Sequence, residues 1–500
     1  MEKVYFDTRV LDTCCRKQYG LSEELMMENA ASALEQEVLH FIKSNPQKYM
    51  ERASVLILAG TGNNGADGFA LARRLIGKDI SVTLCTFGEC KTELATLQKK
   101  RAELLQIREI VVYELDEFFE QKSMDLRVIG DCIFGSGFHG KLPAAQEAAV
   151  RAANKISDVY KIACDIPSGL DLNGNCEGEV FCADLTVSMG SLKCALFSDA
   201  AKDACGKIVC ANLGVSRSAF ESLAKPVAHL LEQTDIHPPF RKKQNVHKGT
   251  FGHTVFVCGQ KKGAAVLAAS AALYFGAGLA TLFLDELDSD SFLPPYLMSA
   301  TKNFPENCKC LAFGMGLGSS EKIAAEAFLF LEKNPTLACV LDADIFYDFR
   351  IRQLLEKRRD CNYTNIVLTP HPKECVSLFK ICGLGDFSVK EIVLNRMELA
   401  KKFVEKFPCA TLLLKGANSI IATEEGVFIN PLGNSALAKA GSGDVLTGLC
   451  AALLSQGYSA QEAAIQASLV HANASHDFFP NYALTPPALI EKIAHSVVIA

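Results

Sequence analysis

The loop AGSGDVLTG, residues 440–448, combines groups with opposing preferences. Its glycines and small hydroxyl residues leave backbone amides free to bind phosphate, whereas Asp444 places a carboxylate among them that would repel an anion. A carboxylate in this position can instead take a proton from an attacking hydroxyl while the amides stabilise a transferring phosphoryl group. The pattern therefore favours phosphoryl transfer to an alcohol, with Asp444 as the base.

Three further motifs of the C-terminal half come at the ends of predicted strands. LAFGMGLGSS is a glycine-rich turn, TPHPKE places His371 between two prolines, and LLLKGANSI places Lys415 after a strand. A lone Lys or His is usually a surface or core residue. Because the carboxyl ends of parallel strands meet at one edge of a sheet, their shared position favours a common site.

A second group of motifs lies in the N-terminal half. The motif GTGNNGADGFALARRL follows a predicted strand and begins a predicted helix. Its backbone amides could bind phosphate, or the glycines could serve only to make a tight turn. The spacing of the glycines matches neither the G-x-G-x-x-G dinucleotide motif nor the Walker A motif. Asn64, Asp131 and Ser168 present only oxygen ligands with one carboxylate, which suits a monovalent cation. Two roles are open for Asp165, namely acid or base catalysis and helix capping.

The strands that must position these groups are short β-rich runs between longer helical patterns in both halves. Several end in Gly, Asp, Ser or His, as parallel strands do where a ligand binds beyond their carboxyl ends. The pattern predicts α/β domains with helices on both faces of a parallel sheet. The predicted strand runs are residues 53–60, 80–87, 126–135, 161–169, 254–259, 338–344, 365–371 and 411–416.

A boundary between the halves is predicted near residue 235. The pair Pro238-Pro239 interrupts regular structure, and the basic cluster at residues 241–243 indicates solvent exposure. Since the halves are not repeats of each other, two different domains are expected, at residues 1–235 and 236–500.

The overall composition restricts the class of protein. Of the 500 residues, 49% are hydrophobic and 22% are charged, and the net charge is −6. No basic field suits nucleic acid or anionic lipid, so a small-molecule enzyme without nucleic-acid or membrane partners is expected. The uncharged stretch Gly263–Leu284 is interpreted as a buried helix, a turn and a strand, because glycines interrupt it.

The 20 cysteines include no C-x-x-C pair and follow no secretory start. They are interpreted as buried thiols of a cytoplasmic protein. A redox or metal-binding role for Cys14 with Cys15, or for Cys308 with Cys310, is a weaker alternative because partner ligands at zinc spacing are missing from the sequence around them.

The N-terminal motifs LMMENAA, GTGNNGADG, DCIFGSG and DIPSGL, with ADLTVSMGSLK, resemble those of the NAD(P)H-hydrate epimerase family over residues 1–215. The resemblance implies a Rossmann-like three-layer α/β/α domain, K⁺ bound by Asn64, Asp131 and Ser168, and Asp165 as the acid/base residue. Ala66 replaces a glycine of the family, and its methyl group is expected to disfavour a positive φ angle and to crowd a phosphate. The implied contacts with the hydrated dinucleotide are Asn63, Asn64, Gly65, Ala66, Asp67, Gly135, Ser136, Gly137, Phe138, His139, Gly140, Lys141 and Asp165.

The C-terminal motifs GAAVLAASAALYFGAGLAT, FGMGLG, DADIF, TPHPKE, LLLKGANSIIAT and AGSGDVLTG, with LVHANASHDF, resemble the NAD(P)H-hydrate dehydratase family over residues 240–500. The resemblance implies a ribokinase-like α/β/α domain. The loop CGQKKGAA is shorter than in the family, so Lys261 and Lys262 are candidate phosphate partners. The implied contacts are Ala265, Gly316, His371 and Asp444 for the hydrated dinucleotide, and Lys415, Gly416, Ala417, Asn418, Ser419 and Gly443 for the adenine nucleotide.

Both resemblances imply the repair of NADH or NADPH that has added water at carbon 6 of the nicotinamide, forming NADHX or NADPHX. The dehydratase would transfer a phosphoryl group from ADP or ATP, with Mg²⁺, to the hydroxyl of the S form, and the epimerase would interconvert the R and S forms. The alternative is a vitamin or sugar kinase with a regulatory N-terminal binding module. The apolar first helix, SEELMMENAASALEQEV, can pack against a partner or against its own sheet, and a homo-oligomer is expected.

Overall fold

The computed structural model describes residues 1–44, 53–122, 125–237, 241, 243–286 and 293–496. The chain divides into two compact units, Lys3–Ala228 and Met1–Glu2 together with His229–Ala500, referred to below as the N-terminal and C-terminal units. Pro238, Pro239 and Lys242 of the predicted linker lie outside the described residues. The position of the boundary at residue 235 stays a prediction.

Seven strands of the N-terminal unit form a parallel sheet. They are β2 (Ser54–Ala59), β3 (Ser81–Thr86), β4 (Arg108–Val111), β5 (Leu126–Cys132), β6 (Tyr160–Cys164), β7 (Leu185–Met189) and β9 (Lys207–Ala211). Their order, β4-β3-β2-β5-β6-β7-β9, reverses between β2 and β5, the switch point at which Rossmann-like sheets bind ligands. Two short strands, β1 (Glu2–Tyr5) and β8 (Leu192–Lys193), pair in parallel outside this seven-stranded sheet.

Helices cover both faces of this sheet because β2 is apolar on both sides. Val55 and Ile57 pack on one face with the second and third helices, whereas Leu56 and Leu58 pack on the other with the fifth and sixth. The helices are α1 (Arg9–Tyr19), α2 (Glu23–Ser44), α3 (Asn63–Ile76), α4 (Glu93–Leu104), α5 (Leu115–Lys122), α6 (Ala144–Lys155) and α7 (Arg217–Glu221). The apolar side of α2 is thus used within its own unit, so the homo-oligomer stays a prediction.

Ten strands of the C-terminal unit lie side by side in the order β13-β12-β11-β14-β15-β16-β17-β18-β19-β10. Neighbours from β13 to β17 are parallel, and β18 is antiparallel to β17 and β19. The strands are β10 (Ala228–Leu230), β11 (His253–Cys258), β12 (Leu279–Leu284), β13 (Met298–Ala300), β14 (Cys310–Phe313), β15 (Ala338–Leu341), β16 (Ile366–Leu368), β17 (Ala410–Leu414), β18 (Ser419–Thr423) and β19 (Gly426–Asn430).

Helices also cover both faces of this second sheet. Ala312 of β14 packs in the core with the first, seventh, eighth and ninth helices of the unit, and the adjacent Phe313 contacts Phe328 on the other face, with ring centroids 5.2 Å apart. The helices are α8 (Lys262–Tyr274), α9 (Glu321–Lys333), α10 (Arg350–Asp360), α11 (Pro372–Ile381), α12 (Val389–Leu394), α13 (Arg396–Lys406), α14 (Ser442–Ser455), α15 (Ala460–Ala474) and α16 (Pro486–Ser496).

The predicted α/β class, with parallel sheets between layers of helices, is confirmed. Each of the eight predicted runs overlaps a strand, and in three of them the strand begins one residue before the run. The stretch Gly263–Leu284 forms most of α8, a turn and β12, as expected. Within the described ranges, no helix is both long and apolar enough to cross a membrane.

Candidate active sites

The loop that carries Asp444 ends at the start of α14, as predicted. Gly441 precedes the helix with a φ angle of 91°, in the left-handed region that favours glycine. The N–H of Val445 donates to the carbonyl of Gly441 over 3.1 Å and makes the first helical bond. The amides of Gly443 and Asp444 precede this bond, so they are placed to bind an anion at the positive end of the helix dipole.

Lys415 follows β17 and brings a cation to the same place. Its Nζ lies 3.5 Å from the position that a Cβ atom on Gly443 would occupy. Burial alone would lower the pKa of Lys415, but the carboxylates of Asp342 and Glu374 outweigh it and raise the pKa. The side chain is therefore an ammonium group beside the start of α14.

Asp342, which follows β15, holds this ammonium. Its Oδ1 lies 3.0 Å from Nζ of Lys415, and its Oδ2 accepts a hydrogen bond of 2.8 Å from Oγ1 of Thr447 in α14. The side chain of Asp342 is 2% exposed. Sequence analysis selected neither Asp342 nor Thr447 as a site residue, and the only available signal was the carboxylate at the end of the strand in DADIF.

The carboxylate of Asp444 is half-buried, and no hydrogen bond to it is found in the described parts of the chain. Burial, followed by the charge of Asp342, raises the pKa of Asp444 to about 6, although the charge of Lys415 opposes the shift. A carboxylate with this pKa is mostly ionised at neutral pH but is a stronger base than an exposed one.

His371 is the N-cap residue of α11. Its Nδ1 accepts a bond of 3.1 Å from the N–H of Glu374, and its own N–H donates to Oε2 of Glu374 over 2.8 Å. Burial, followed by the charge of Lys415, lowers the pKa of His371, so the ring is neutral at physiological pH. Since Oε2 of Glu374 is 4.0 Å from Nζ of Lys415, this cap lies next to the ammonium.

The other predicted C-terminal residues lie in the loop after β14, in α8, and in the segment from the end of β17 to β18. Gly316 has a φ angle of 62° and accepts a bond of 2.9 Å from the N–H of Lys261. Ala265 is fully buried in α8, and α8 packs against α14. Of the nucleotide residues after Lys415, Gly416 and Ala417 are exposed, Asn418 is buried, and Ser419 begins β18.

At the switch point of the N-terminal sheet, the predicted cation ligands come from the start of α3, the end of β5 and the loop after β6. Ser168 donates its hydroxyl to Oδ1 of Asp131 and its N–H to Oδ2, each over 2.7 Å. Burial raises the pKa of Asp131 to about 6 against the effect of these bonds. The Oδ1 of Asn64 lies 3.2 Å from the position that a Cβ atom on Gly135 would occupy. The Nδ2 of Asn64 is buried and has no hydrogen-bond partner in the described ranges.

Asp165 follows β6 with a φ angle of 71° and does not cap a helix, so that alternative is wrong. Its Oδ1 lies 2.6 Å from Nζ of Lys193 and accepts a bond of 3.1 Å from the N–H of Met189. Its Oδ2 accepts a bond of 3.3 Å from the N–H of Ser136. The side chain of Lys193 is 1% exposed, so the ion pair is buried. Lys193 ends the motif ADLTVSMGSLK, but no role for it was predicted from the sequence.

A cavity of about 250 Å³ opens beside this ion pair, between α1, α2 and the start of α3. Asp12, Asn63 and Asp67 are among the residues that line it. Burial, followed by the charge of Asp165, raises the pKa of Asp67, and burial raises the pKa of Asp12 to about 6. Asp12 is a further acidic residue that sequence analysis did not select.

The expectation for Ala66 is wrong in its local geometry. Ala66 lies inside α3 and is absent from the described non-glycine residues with positive φ angles. Its buried methyl group packs with Met27 and Ala95. Gly65 makes the close approach instead, because a Cβ atom there would lie 1.8 Å from the carbonyl oxygen of Gly60.

The residues of the predicted loop from Gly135 to Lys141 lie in three different environments. Gly135 and Ser136 lie beside Asp165, while Phe138 is buried in the core, with its ring centroid 5.0 Å from that of Phe134. Gly137, His139, Gly140 and Lys141 are exposed.

The cysteines in the described ranges are free thiols. No three His, Cys, Asp or Glu residues in these ranges form a group that could hold a metal ion. The Sγ of Cys308 contacts the carbonyl oxygen of Cys310 at 3.3 Å, which is a local backbone contact and not a metal site.

Comparison with known proteins decides the family. The family model described as NAD(P)H-hydrate dehydratase matches residues 254–495, and the model described as YjeF-related protein N-terminus matches residues 23–195. The bifunctional NAD(P)H-hydrate repair enzyme of Helicobacter pylori is 42% identical over 494 residues, which cover 99% of each chain. The chain belongs to the family of bifunctional NAD(P)H-hydrate repair enzymes.

Two further NAD(P)H-hydrate repair enzymes match at lower identity. That of Dictyoglomus turgidum is 30% identical and the match covers 93% of this chain and 91% of the relative, and that of Archaeoglobus fulgidus is 31% identical with coverages of 90% and 88%. A solved structure of the ADP/ATP-dependent NAD(P)H-hydrate dehydratase of Bacillus subtilis, co-crystallised with ATP/Mg²⁺, is 22% identical, with a TM-score of 0.43 over 54% of this chain and 97% of that chain.

Proposed function

We propose that the N-terminal unit interconverts the R and S forms of hydrated NADH and NADPH, and that the C-terminal unit dehydrates the S form with ADP or ATP as phosphoryl donor. The observation that carries the proposal is the position of the Lys415 ammonium, 3.5 Å from the position that a Cβ atom on Gly443 would occupy, at the start of the helix that carries Asp444. The ammonium and the amides of α14 suit phosphate, and Asp444 suits a hydroxyl.

Dehydration follows from this separation of roles. Asp444 takes the proton of the hydroxyl on carbon 6, and the oxygen attacks the terminal phosphorus of the nucleotide, whose bond to the leaving phosphate oxygen breaks. Lys415 and the helix amides stabilise the charge on the transferring group. The electrons of the ring nitrogen then expel phosphate from carbon 6, and loss of a proton from carbon 5 restores the ring double bond.

Mg²⁺ is proposed to enter with the nucleotide, where it would neutralise phosphate charge. Magnesium is commonly held by phosphates, waters and only one or two carboxylates. The lack of a three-ligand cluster in the described ranges fits a metal that the nucleotide brings to the site.

Epimerisation requires that carbon 6 lose its configuration, by opening of the ring or by loss of the hydroxyl, and Asp165 is proposed to move the proton. Lys193 provides the counter-ion for this carboxylate, and the N–H groups of Met189 and Ser136 fix its orientation. The adjacent cavity, lined by Asn63 and Asp67, is the space proposed for the substrate.

K⁺ is proposed to bind at Asn64, Asp131 and Ser168. The fit is supported by the 2.7 Å contact between the Ser168 hydroxyl and Asp131, and by the buried side-chain nitrogen of Asn64 without a partner in the described ranges. Because the two ends of an amide are interchangeable by rotation, Asn64 can present its oxygen to a cation. The ion would order the loops that hold Asp165.

The deciding experiment supplies the S form of hydrated NADH with ADP and Mg²⁺ and follows the absorbance of reduced nicotinamide. The proposal predicts recovery of NADH, with AMP and phosphate as products. A stable phosphorylated product without NADH would support a kinase instead. ATP in place of ADP determines the donor. Replacement of K⁺ by Na⁺ in the R-form assay tests the cation, and unchanged conversion would refute it.

A further inference from the structure

We infer that Asp342 is a positioning residue of the C-terminal site. One oxygen of its carboxylate binds the ammonium of Lys415 and the other binds the hydroxyl of Thr447, which keeps the ammonium at the start of α14 and prevents it from pairing with Asp444. The inference rests on the proposed phosphoryl transfer and deepens it. It assigns a role to a residue that acts through other side chains.

The geometry of Asp342 joins three elements. Its Oδ1 receives the ammonium of Lys415 from the end of β17 at 3.0 Å, and its Oδ2 receives the hydroxyl of Thr447 from α14 at 2.8 Å. Asp342 is 2% exposed and Thr447 is fully buried. The backbone of Asp342 is fixed on both sides. Its N–H donates to the carbonyl of Phe313 over 3.2 Å, and its carbonyl oxygen packs closely on Gly314, where a Cβ atom would lie only 1.8 Å from that oxygen.

The charges around Asp444 show why this contact matters. Both histidines are neutral at physiological pH, since burial lowers the pKa of His371 and lowers the pKa of His471 to about 4. Lys415 then provides the positive charge near three carboxylates: it pairs with Asp342, lies 4.0 Å from Glu374, and acts on Asp444 only through its field. Titratable groups face the site from the segments after β15 and β17 and from α11, α14 and α15. They include Asp342, Asp344, Lys415, His371, Lys373, Glu374, Cys375, Asp444, Cys450 and His471.

Because Asp342 holds the cation directly, Asp444 keeps an unpaired carboxylate that can accept a proton. Without the charge on Asp342, the ammonium is drawn towards Asp444 and stabilises its ionised form. Asp444 then becomes a weaker base, and the cation leaves the position that suits the nucleotide phosphates.

The test is the Asp342→Asn variant, which keeps the shape of the side chain and removes its charge. ADP-dependent dehydration of the S form is measured from about pH 5 to about pH 8. We expect the acid limb of kcat/KM to move down by about one pH unit, and kcat at neutral pH to fall about tenfold because the base is weaker. The KM for ADP should rise severalfold.

The matched control is Asp360→Asn, which removes one charge from an exposed carboxylate of α10, with 66% of the side chain accessible. Its acid limb should coincide with that of the wild type. An acid limb and an ADP KM that are unchanged in folded Asp342→Asn would overturn the inference. Absence of NADH recovery with the wild type would instead refute the proposed function, so the two failures are distinct.

If Asp342→Asn does not fold, Thr447→Val provides the second test. It removes one support of Asp342 but leaves all charges in place. We expect a higher KM for ADP with no downward shift of the acid limb, and Thr447→Ser should recover much of the affinity because it restores the hydroxyl. Equal values of KM in the valine variant and the wild type would overturn the inference.

Discussion

The two units use an aspartate in opposite electrostatic settings. Asp165 lies in a buried ion pair with Lys193 and receives the backbone N–H groups of Met189 and Ser136. Asp444 has no hydrogen bond to its carboxylate in the described ranges, and burial raises its pKa to about 6. The comparison shows that the environment decides the task of a carboxylate: the first is fixed as part of a network, and the second is free to bind a proton.

The largest effect should follow from loss of the unpaired carboxylate. Asp444→Asn should lower dehydration of the S form by about two to four orders of magnitude, because general-base catalysis is lost. ADP affinity, measured by calorimetry, should change little, because the amides of α14 and Lys415 remain. Dehydration within tenfold of the wild-type rate would contradict the role of Asp444.

Asp165→Asn, the same substitution in the other unit, is the matched control. It should leave dehydration of the pure S form at the wild-type rate. A loss equal to that of Asp444→Asn would mean that the two carboxylates do not have separate tasks.

A smaller effect is expected when the paired carboxylate loses its cation. Lys193→Met should slow conversion of the R form about 100-fold and lower the unfolding temperature, because an uncompensated charge stays buried. Chiral chromatography of the hydrate, at a temperature where the variant is folded, measures the conversion. The rate of S-form dehydration in the same sample is the internal control, and an unchanged R-form rate would contradict the role of Lys193.

The pH dependence of the C-terminal reaction should show the raised pKa of Asp444. Its ionised form is the base, so kcat/KM should be flat above about pH 7 and should fall tenfold per unit below the pKa of about 6. A stopped assay of NADH recovery across this range provides the measurement. A limb near pH 4, where an exposed aspartate titrates, would show that burial does not tune this residue.

The smallest effect is expected at Ala66. Ala66→Gly should leave R-form conversion within about twofold of the wild type and lower the free energy of unfolding of the N-terminal unit by about 1 kcal/mol, because glycine disfavours a helix interior. Chemical denaturation measures the stability. A severalfold gain in epimerisation would show that the methyl group does restrict the site.

The strands were predictable because a strand buried on both faces needs a continuous apolar run, as in SVLILA of β2. The loops after these strands were also predictable, because glycines and polar residues directly follow each apolar run and so indicate where the strand ends. The error at Ala66 arose because the sequence does not give the φ angle, which the helix that begins at Asn63 determines.

Long-range pairs could not be predicted from spacing. Asp342 is separated in sequence from Lys415 by 73 residue positions and from Thr447 by 105. From the sequence alone, several other charged residues were equally possible partners for Asp342. Lys193 was equally hidden, because its partner depends on how the short strand β8 is placed against the loop after β6. Packing in three dimensions, and not local pattern, decides these partners.

The most direct test of the separation between the two carboxylates is repair of the pure R form by a mixture of Asp165→Asn and Asp444→Asn, with ADP and Mg²⁺. Neither variant alone should regenerate NADH from the R form faster than the R form epimerises without enzyme. The mixture should regenerate NADH, because one variant supplies epimerisation and the other dehydration. A mixture no faster than Asp165→Asn alone, while Asp444→Asn still binds ADP, would contradict the account.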